Sequence, residues 1–298
     1  MGTLLQRKVT NESLENSLQD AIFENSYQSI KGLIGKSREI GFERERVISN
    51  LHGMLLGHLK EDYHAASHRY IKNSFLIIKR LNQERVLPEK LREGLSRGVR
   101  SSLNRNLERA WEVSRKESKG EMGIKLGISL GVSDFVERLQ NAQLSGILSG
   151  KETAEYVDKA MRICSRWINE GKIPEFADFA KELHRHALVS KSFLKQEFGA
   201  LVLERLNGAG SERFYSSGDK KNPAVARELN TWHAQNDLNA LMEIGILERD
   251  DALRIMRVYA SKGIIDSFRI APQGREKSTL ADAVIERDLG KIAKLSKR

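Results

Sequence analysis

Apolar positions recur with helical spacing along most of the chain. In the stretch after Phe42, which contains no proline before Leu81, apolar residues repeat at every fourth position: Val47, Leu51, Leu55, Leu59 and Tyr63. A longer series follows Pro88, at Leu91, Leu95, Val99, Leu103, Leu107 and Trp111. Residues four apart share one face of an α-helix, so both series predict long amphipathic helices with one buried side.

Signals for the starts and ends of helices divide the rest of the chain into shorter units. Thr10 or the residue after it can cap a first helix that continues to Ile34. Ser149 and Glu152 have the spacing of a capping box, which predicts a helix that Gly171 closes.

The glycine-rich segment 120–132 fits two structures. Its apolar residues alternate with polar residues and glycine, which is the period of a β-strand. Gly123, Gly127 and Gly131 are also four residues apart, which on a helix allows a second helix to approach closely. Both interpretations stay open, and in either case we expect a joint between two parts of the protein.

Two segments repeat the same order of residues. Gly146-Ile147-Leu148 and Gly245-Ile246-Leu247 each come shortly after an Asn-Ala pair, and each precedes a helix with acidic residues near its start. Because glycine commonly ends a helix in the left-handed conformation, both segments predict turns that join two helices.

These patterns predict an all-α protein with roughly ten to twelve helices, arranged as a multi-helix bundle or as two stacked helical subdomains. The predicted parts are an N-terminal helical part at 1–119, the joint at 120–132, a C-terminal helical part at 133–272 and a basic amphipathic tail at 273–298. The N-terminal part contains a basic stretch at 63–106.

Charge is concentrated in two of these regions. The 298 residues include 50 Lys and Arg against 40 Asp and Glu, which gives a formal charge of +10. Residues 63–106 contribute +7 (ten basic, three acidic) and residues 273–298 contribute +3 (seven basic, four acidic), so the remainder is neutral. The apolar fraction of 40% excludes a wholly disordered chain, and the single Cys164 excludes a disulfide framework.

The chain has no apolar run long enough for a signal-peptide core or a transmembrane helix. The most apolar segment, 122–132, is short and contains Lys125. We therefore expect a cytoplasmic protein that reaches membranes only by association.

No catalytic, cofactor or metal signature is complete. Glu61, His64 and His68 share one helical face and form half of a di-iron carboxylate pattern, but the chain has no second Glu-x-x-His. Gly35-Lys36-Ser37 resembles the end of a phosphate-binding loop, but Ile30 stands where that loop needs glycine. We therefore predict a non-enzymatic protein without metal or cofactor.

Partner binding is the function that the charge distribution favours. The basic stretch and the tail predict contacts with other protein subunits that have acidic surfaces, and the candidate residues are Arg97, Arg100, Arg105, Val284, Ile285, Leu289, Ile292 and Lys294. The alternative is a nucleic-acid-binding helical protein that uses the three arginines. A third hypothesis is a secreted bacterial effector, or a helical enzyme with a site near His64 and His68.

The helix-rich, glycine-punctuated body and the polar, basic C-terminal tail extend over the whole chain. In this overall style the protein resembles soluble helical accessory subunits or substrates of bacterial type IV secretion systems. The resemblance implies an adaptor or structural subunit of a multiprotein assembly, and it assigns no role to any residue.

Overall fold

The computed structural model describes residues 10–61, 67–115, 121–207 and 223–265. This part of the chain contains eleven α-helices and no β-strand. The predicted all-α fold and the predicted number of helices are both confirmed.

The first six helices, α1 to α6, are Asn11–Phe23, Tyr27–Gly35, Arg44–Lys60, His68–Gln83, Glu89–Arg115 and Glu121–Leu144. The next five, α7 to α11, are Gly150–Glu170, Ile173–Arg185, Lys191–Asn207, Pro223–Glu243 and Arg249–Ser261. The chain forms two compact units, Met1–Asp158 and Lys159–Arg298, and the division between them lies within α7.

The glycine-rich segment is helical wherever it is described. The backbone of α6 is continuous from Glu121 to Leu144, so the helical interpretation of this segment is correct. Residue 120 and the tail 273–298 lie outside the described residues, and the domain boundaries that we predicted from the sequence stay predictions.

The sequence predicted a first helix that continues to Ile34, but the structure divides this stretch into two helices. Thr10 does cap α1, because its side-chain oxygen accepts a hydrogen bond from the Ser13 N–H at 3.2 Å. However, Asn25 adopts a φ of 55°, in the left-handed region, and this breaks the predicted helix into α1 and α2. Asparagine enters this conformation more readily than most residues, which is why the break has no glycine to mark it.

The core of the first unit confirms both four-residue series. In this unit α5 packs against α3 and α6, while α1 contacts α2, α3 and α4. The apolar residues that α3 and α5 bury are Val47, Leu51, Leu55, Leu59, Leu95, Val99, Leu103 and Leu107. The two other described members of these series, Leu91 and Trp111, are half-buried.

Two glycines on α5 let α3 come close. A Cβ atom at Gly98 would lie 2.4 Å from Leu56 Cδ1, and one at Gly94 would lie 2.9 Å from His52 Nε2. Both distances are shorter than a van der Waals contact, so any larger residue would force these side chains to move. The four-residue spacing of the two glycines therefore shapes the groove of α5 that receives α3.

A fully buried arginine ties α6 to the end of α3. Arg138 has 0% of its side chain exposed, and its Nε donates to Asp134 Oδ1 at 3.2 Å. Its terminal nitrogens donate to the carbonyl oxygens of Leu59 and Glu61, the latter at 2.7 Å. The last carbonyls of a helix lack partners within the helix, so Arg138 pairs two of them, of which that of Leu59 is buried.

Aromatic side chains lie at the centre of the second unit. The Trp167 ring lies 5.7 Å from the Phe179 ring, and Phe176 meets Phe198 edge-on at 5.2 Å. Here α8 packs against α10, α10 against α11, and α9 against both α8 and α11. Cys164 is buried and burial raises the pKa of its thiol, so it stays protonated and packs as a small apolar residue.

One turn geometry ends seven of the helices. In each case a residue with positive φ donates its N–H to the carbonyl oxygen three residues earlier, and the next residue donates its N–H to the carbonyl oxygen five residues before itself. This is the Schellman motif. The seven residues with positive φ are Asn25, Arg85, Gly146, Gly171, Ala187, Gly245 and Gly263. Both segments that repeat in the sequence, at Gly146 and at Gly245, form this turn.

The same seven turns share a buried contact. The residue that accepts the five-residue bond is buried in every case, and it is Ala21, Leu81, Ala142, Trp167, Leu183, Leu241 or Tyr259. In six of them, all except the turn at Asn25, the residue two positions after the positive φ is a buried aliphatic. These six turns are thus anchored in the core on both sides.

Candidate functional site

The outer face of α4 is the most distinctive surface of the first unit. Six of its residues are exposed, and at about 100° per residue they fall within an arc of about 100° on the helix. We call them the α4 stripe: Arg69, Lys72, Leu76, Lys79, Arg80 and Gln83. The opposite side of the helix, including Ile71, Phe75 and Ile78, is buried in the core.

The charge of the α4 stripe is uniformly positive. It holds four cations, and α4 itself contains no Asp or Glu. Within the described part of the chain, no carboxylate lies within ion-pair distance of these four side chains. Glu84, directly after α4, pairs with Lys31 at 2.7 Å, and this hydrogen bond is the main reason why the pKa of Glu84 is lowered.

Apolar surface accompanies this charge. Leu76 is 40% exposed in the middle of the stripe, and Phe23, at the end of α1, is 36% exposed beside it. The Arg69 guanidinium lies 4.0 Å from the centroid of the Phe23 ring, which is a cation–π contact. Arg69 and Asn73 also donate to the Phe23 carbonyl oxygen, at 3.1 and 2.7 Å, so the end of α1 is held against α4.

A groove of about 690 Å³ runs beside the α4 stripe. One wall is formed by residues 25–28, which are the turn before α2 and the first residues of α2. The other is formed by Leu76, Lys79, Arg80, Gln83 and Glu84. Its far end adjoins a larger groove of about 1180 Å³, because Tyr27 and Glu84 line both. Burial, and secondly the neighbouring Glu84 carboxylate, raise the pKa of Tyr27, so its hydroxyl stays protonated.

A buried histidine supports this surface from below. His58 Nδ1 lies 3.0 Å from Ser74 Oγ of α4, and its Nε2 lies 3.3 Å from Gln19 Nε2 of α1. The ring also packs at a tilt against Tyr70, with 5.1 Å between the ring centroids, and Tyr70 packs in the same way against Phe23. Burial lowers the pKa of His58, so it is neutral at pH 7 and holds three helices together through hydrogen bonds.

The arginines that we singled out from the sequence lie on α5 in three different settings. Arg97 is exposed, and no ion pair links it to a described carboxylate. Arg100 pairs with Glu152, and Arg105 donates to the Lys60 carbonyl oxygen at 2.8 Å. Two of the three therefore already have partners within the first unit.

The other predicted binding residues, Val284, Ile285, Leu289, Ile292 and Lys294, lie outside the described residues. Of the histidine motif, His64 is also outside them, and His68 lies 3.2 Å from Glu137. The described residues contain no cluster of His, Cys, Asp or Glu that could hold a metal ion. The Gly35-Lys36-Ser37 segment is the end of α2.

The four cations of the α4 stripe belong to the basic stretch 63–106, in which we did not predict them as one surface. The signal was available, because residues 67–83 contain no acidic residue and the apolar positions between the cations follow the helical period. Which basic residues are paired elsewhere could not be known without the fold.

Searches against protein-family models, curated proteins and solved structures find no match to this chain. Among the described residues, no helix has the length and apolar character needed to cross a bilayer. The geometry of the α4 stripe and its groove is therefore the basis for a functional hypothesis.

Proposed function

We propose that the protein is a non-enzymatic helical adaptor that docks an acidic partner protein through the α4 stripe. The observation that supports this most directly is the composition of the stripe, in which four exposed cations surround an exposed leucine. Interfaces combine an apolar centre with a polar rim in this way, and charge complementarity directs the encounter.

The surroundings of the α4 stripe favour a protein over a nucleic acid as the partner. Proteins that bind single strands stack bases on exposed aromatic rings, whereas the exposed ring beside the stripe, Phe23, is covered on one face by Arg69, and Tyr27 and Tyr70 are half-buried. On α5, Arg100 and Arg105 are already engaged within the protein. A partly exposed leucine between cations adds affinity for an apolar side chain but nothing for a phosphate.

The biological setting that we propose is a multiprotein assembly. The overall style of the sequence, with its basic tail, suggests a bacterial type IV secretion apparatus as that assembly. Within it, this chain would connect subunits through at least one surface, the α4 stripe.

The test is a charge reversal on the full-length protein. The wild type should capture an acidic protein from nuclease-treated lysate, and native mass spectrometry identifies the complex. The triple variant should lose this capture; it combines Lys72→Glu, Lys79→Glu and Arg80→Glu. Arg257→Glu, which reverses an exposed cation on α11, is the matched control and should capture as much as the wild type. Circular dichroism and melting should be unchanged in both variants, because all four side chains are exposed.

Two results would contradict the proposal. One is equal capture by the wild type and the triple variant, which would move the docking site away from α4. The other is capture that disappears with nuclease, together with binding of purified protein to DNA or RNA that weakens steeply with salt, which would favour the nucleic-acid alternative. Arg97→Glu in the same assay tests the exposed arginine of α5.

A further inference from the structure

We propose that the partner segment bound by the α4 stripe is an amphipathic α-helix, with carboxylates at both ends of an apolar centre. This inference rests on the proposed function and names the form of the partner. Arg69 and Lys72 stand at one end of the stripe, Lys79 and Arg80 stand at the other, and Leu76 lies between them. With a rise of about 1.5 Å per residue, the two pairs of cations are about 10 to 16 Å apart along the axis.

The backbone around the α4 stripe favours a helix over an extended peptide. The amides and carbonyls within α4 are bonded inside the helix, and the turn beside it is closed by the bonds of Asn25 and Ser26 to Ile22 and Ala21. This surface therefore has no strand edge that could pair with an extended chain. An extended segment lying on Leu76 would leave its own polar backbone without partners, whereas a helix satisfies its own backbone.

The groove beside the stripe provides space for the apolar side chains of such a helix. Its volume of about 690 Å³ is within the range of about 300–1,000 Å³ typical of pockets that bury ligands. Leu76 forms part of its wall, opposite the turn at residues 25–28. A helix placed along the stripe can direct one apolar row into this groove while its carboxylates reach the cations on either side.

The charges in the neighbourhood define the orientation of this helix across the surface. The carboxylate closest to the α4 end of the groove is Glu84, and it is already paired with Lys31. The larger groove beyond Tyr27 is lined by charges of both signs, with Arg38 and Arg44 beside Glu39, Glu43 and Glu45. The α4 stripe holds four cations and no carboxylate, so an acidic helix is attracted more strongly to the stripe than to the larger groove, and we place it along α4 and not across α2.

Two synthetic peptides of identical composition test this inference on the full-length protein by fluorescence anisotropy. In the patterned peptide, Glu residues repeat the spacing of the four cations, Leu takes the position that matches Leu76, and Ala and Gln fill the rest. In the isomer peptide, the same Glu and Leu residues are spread around the helix. The patterned peptide should bind at least about tenfold more tightly, and it should gain helicity on binding.

Variants of the protein assign this preference to the surface. Leu76→Ala should weaken the patterned peptide roughly fivefold, through lost apolar contact. Lys79→Glu with Arg80→Glu should weaken it more than about tenfold, while Arg257→Glu should change it less than about twofold. No variant should bind the isomer peptide more tightly than the wild-type protein does.

The outcomes separate this inference from the proposed function. Equal, charge-dependent binding of both peptides would overturn the helical partner and leave the docking of acidic proteins at the α4 stripe intact. Binding of neither peptide, with the pull-down still sensitive to the triple reversal, would also overturn the helical partner. Tighter binding to phosphatidylserine–phosphatidylcholine vesicles than to the patterned peptide would overturn both, in favour of an anionic membrane.

Discussion

Replacing Arg138 by methionine should destabilise the first unit more than any exposed charge replacement. In the native protein the buried guanidinium neutralises Asp134 and donates to the carbonyls of Leu59 and Glu61. Methionine fills much of the space but donates no hydrogen bond. Asp134 still accepts a hydrogen bond from the neutral amide of Asn106 at 2.9 Å, but the buried carboxylate loses the charge of Arg138.

The expected loss of stability in Arg138→Met follows from the buried groups that lose their partner. Breaking a buried ion pair by removing one partner costs about 3–5 kcal/mol. The Leu59 carbonyl, whose bond to Arg138 is buried, also loses this donor, and an unsatisfied buried polar group costs about 1–3 kcal/mol. Arg92→Ala, which breaks the exposed pair of Arg92 with Glu89 in the same unit, should cost less than about 0.5 kcal/mol.

Hydrogen exchange in a urea series, read by mass spectrometry, measures the free energy of unfolding of each unit separately. Arg138→Met should lower this free energy in peptides from the first unit and leave peptides from the second unaffected. A loss below about 1 kcal/mol would refute the role given to Arg138. Adding Asp134→Asn should return much of the lost stability, because no buried charge then remains.

Three further predictions concern the turns, the buried histidine and the core. Ala187→Gly should raise the free energy of unfolding by about 1 kcal/mol and Gly171→Ala should lower it by about 1 kcal/mol, because both positions have positive φ. The melting temperature should change in the same direction in each variant. Burial lowers the pKa of His58, so its contribution to stability should be complete above about pH 6.5 and fall as the pH drops below that value. In melting curves recorded over a pH series, His58→Gln should therefore lose less stability on acidification than the wild type. His52, whose pKa is also lowered by burial, should account for part of the pH dependence that is left. Leu103→Ala should cost about 2–5 kcal/mol in a denaturant titration, and a smaller loss would place this residue outside the core.

Helices with a single buried face could be predicted from the sequence. Val47, Leu51 and Leu55 are buried together because residues four apart meet on one side of a helix, a relation that needs no knowledge of the neighbours. The capping box is equally local: the Ser149 N–H reaches the Glu152 carboxylate at 2.8 Å, as the spacing predicted. Interactions confined to one helical turn are visible in sequence spacing alone.

Turns were predictable only where glycine occupies the left-handed position. Gly146 and Gly245 revealed their turns, but Asn25, Arg85 and Ala187 adopt the same conformation with side chains that do not signal it. At Arg85 and Ala187, buried residues on both sides of the turn supply the stabilising contact instead. Tertiary packing thus overrides local preference at these two helix ends.

The candidate site was less predictable than the fold, for a reason that Arg100 illustrates. Its partner Glu152 is 52 residues away in the chain, so no spacing rule could reveal that this cation is already paired. Arg105 likewise donates to a backbone carbonyl on α3. Net charge in a segment shows how many cations exist, whereas the fold decides which of them face a partner.

The two sides of α4 have separate physical roles, and this separation makes the docking hypothesis testable. Its inner side contributes buried residues such as Phe75 and Ser74, and Ser74 bonds to His58 in the core. Its outer side contributes cations that no described carboxylate pairs, and of these only Arg69 is bonded within the protein, to Phe23, so reversing Lys72, Lys79 and Arg80 breaks no internal hydrogen bond or ion pair. Stability should therefore depend on the inner side, and partner affinity should depend on the outer side. Variants of the α4 stripe that lose binding while keeping their melting temperature would locate the interface without the ambiguity of a misfolded protein.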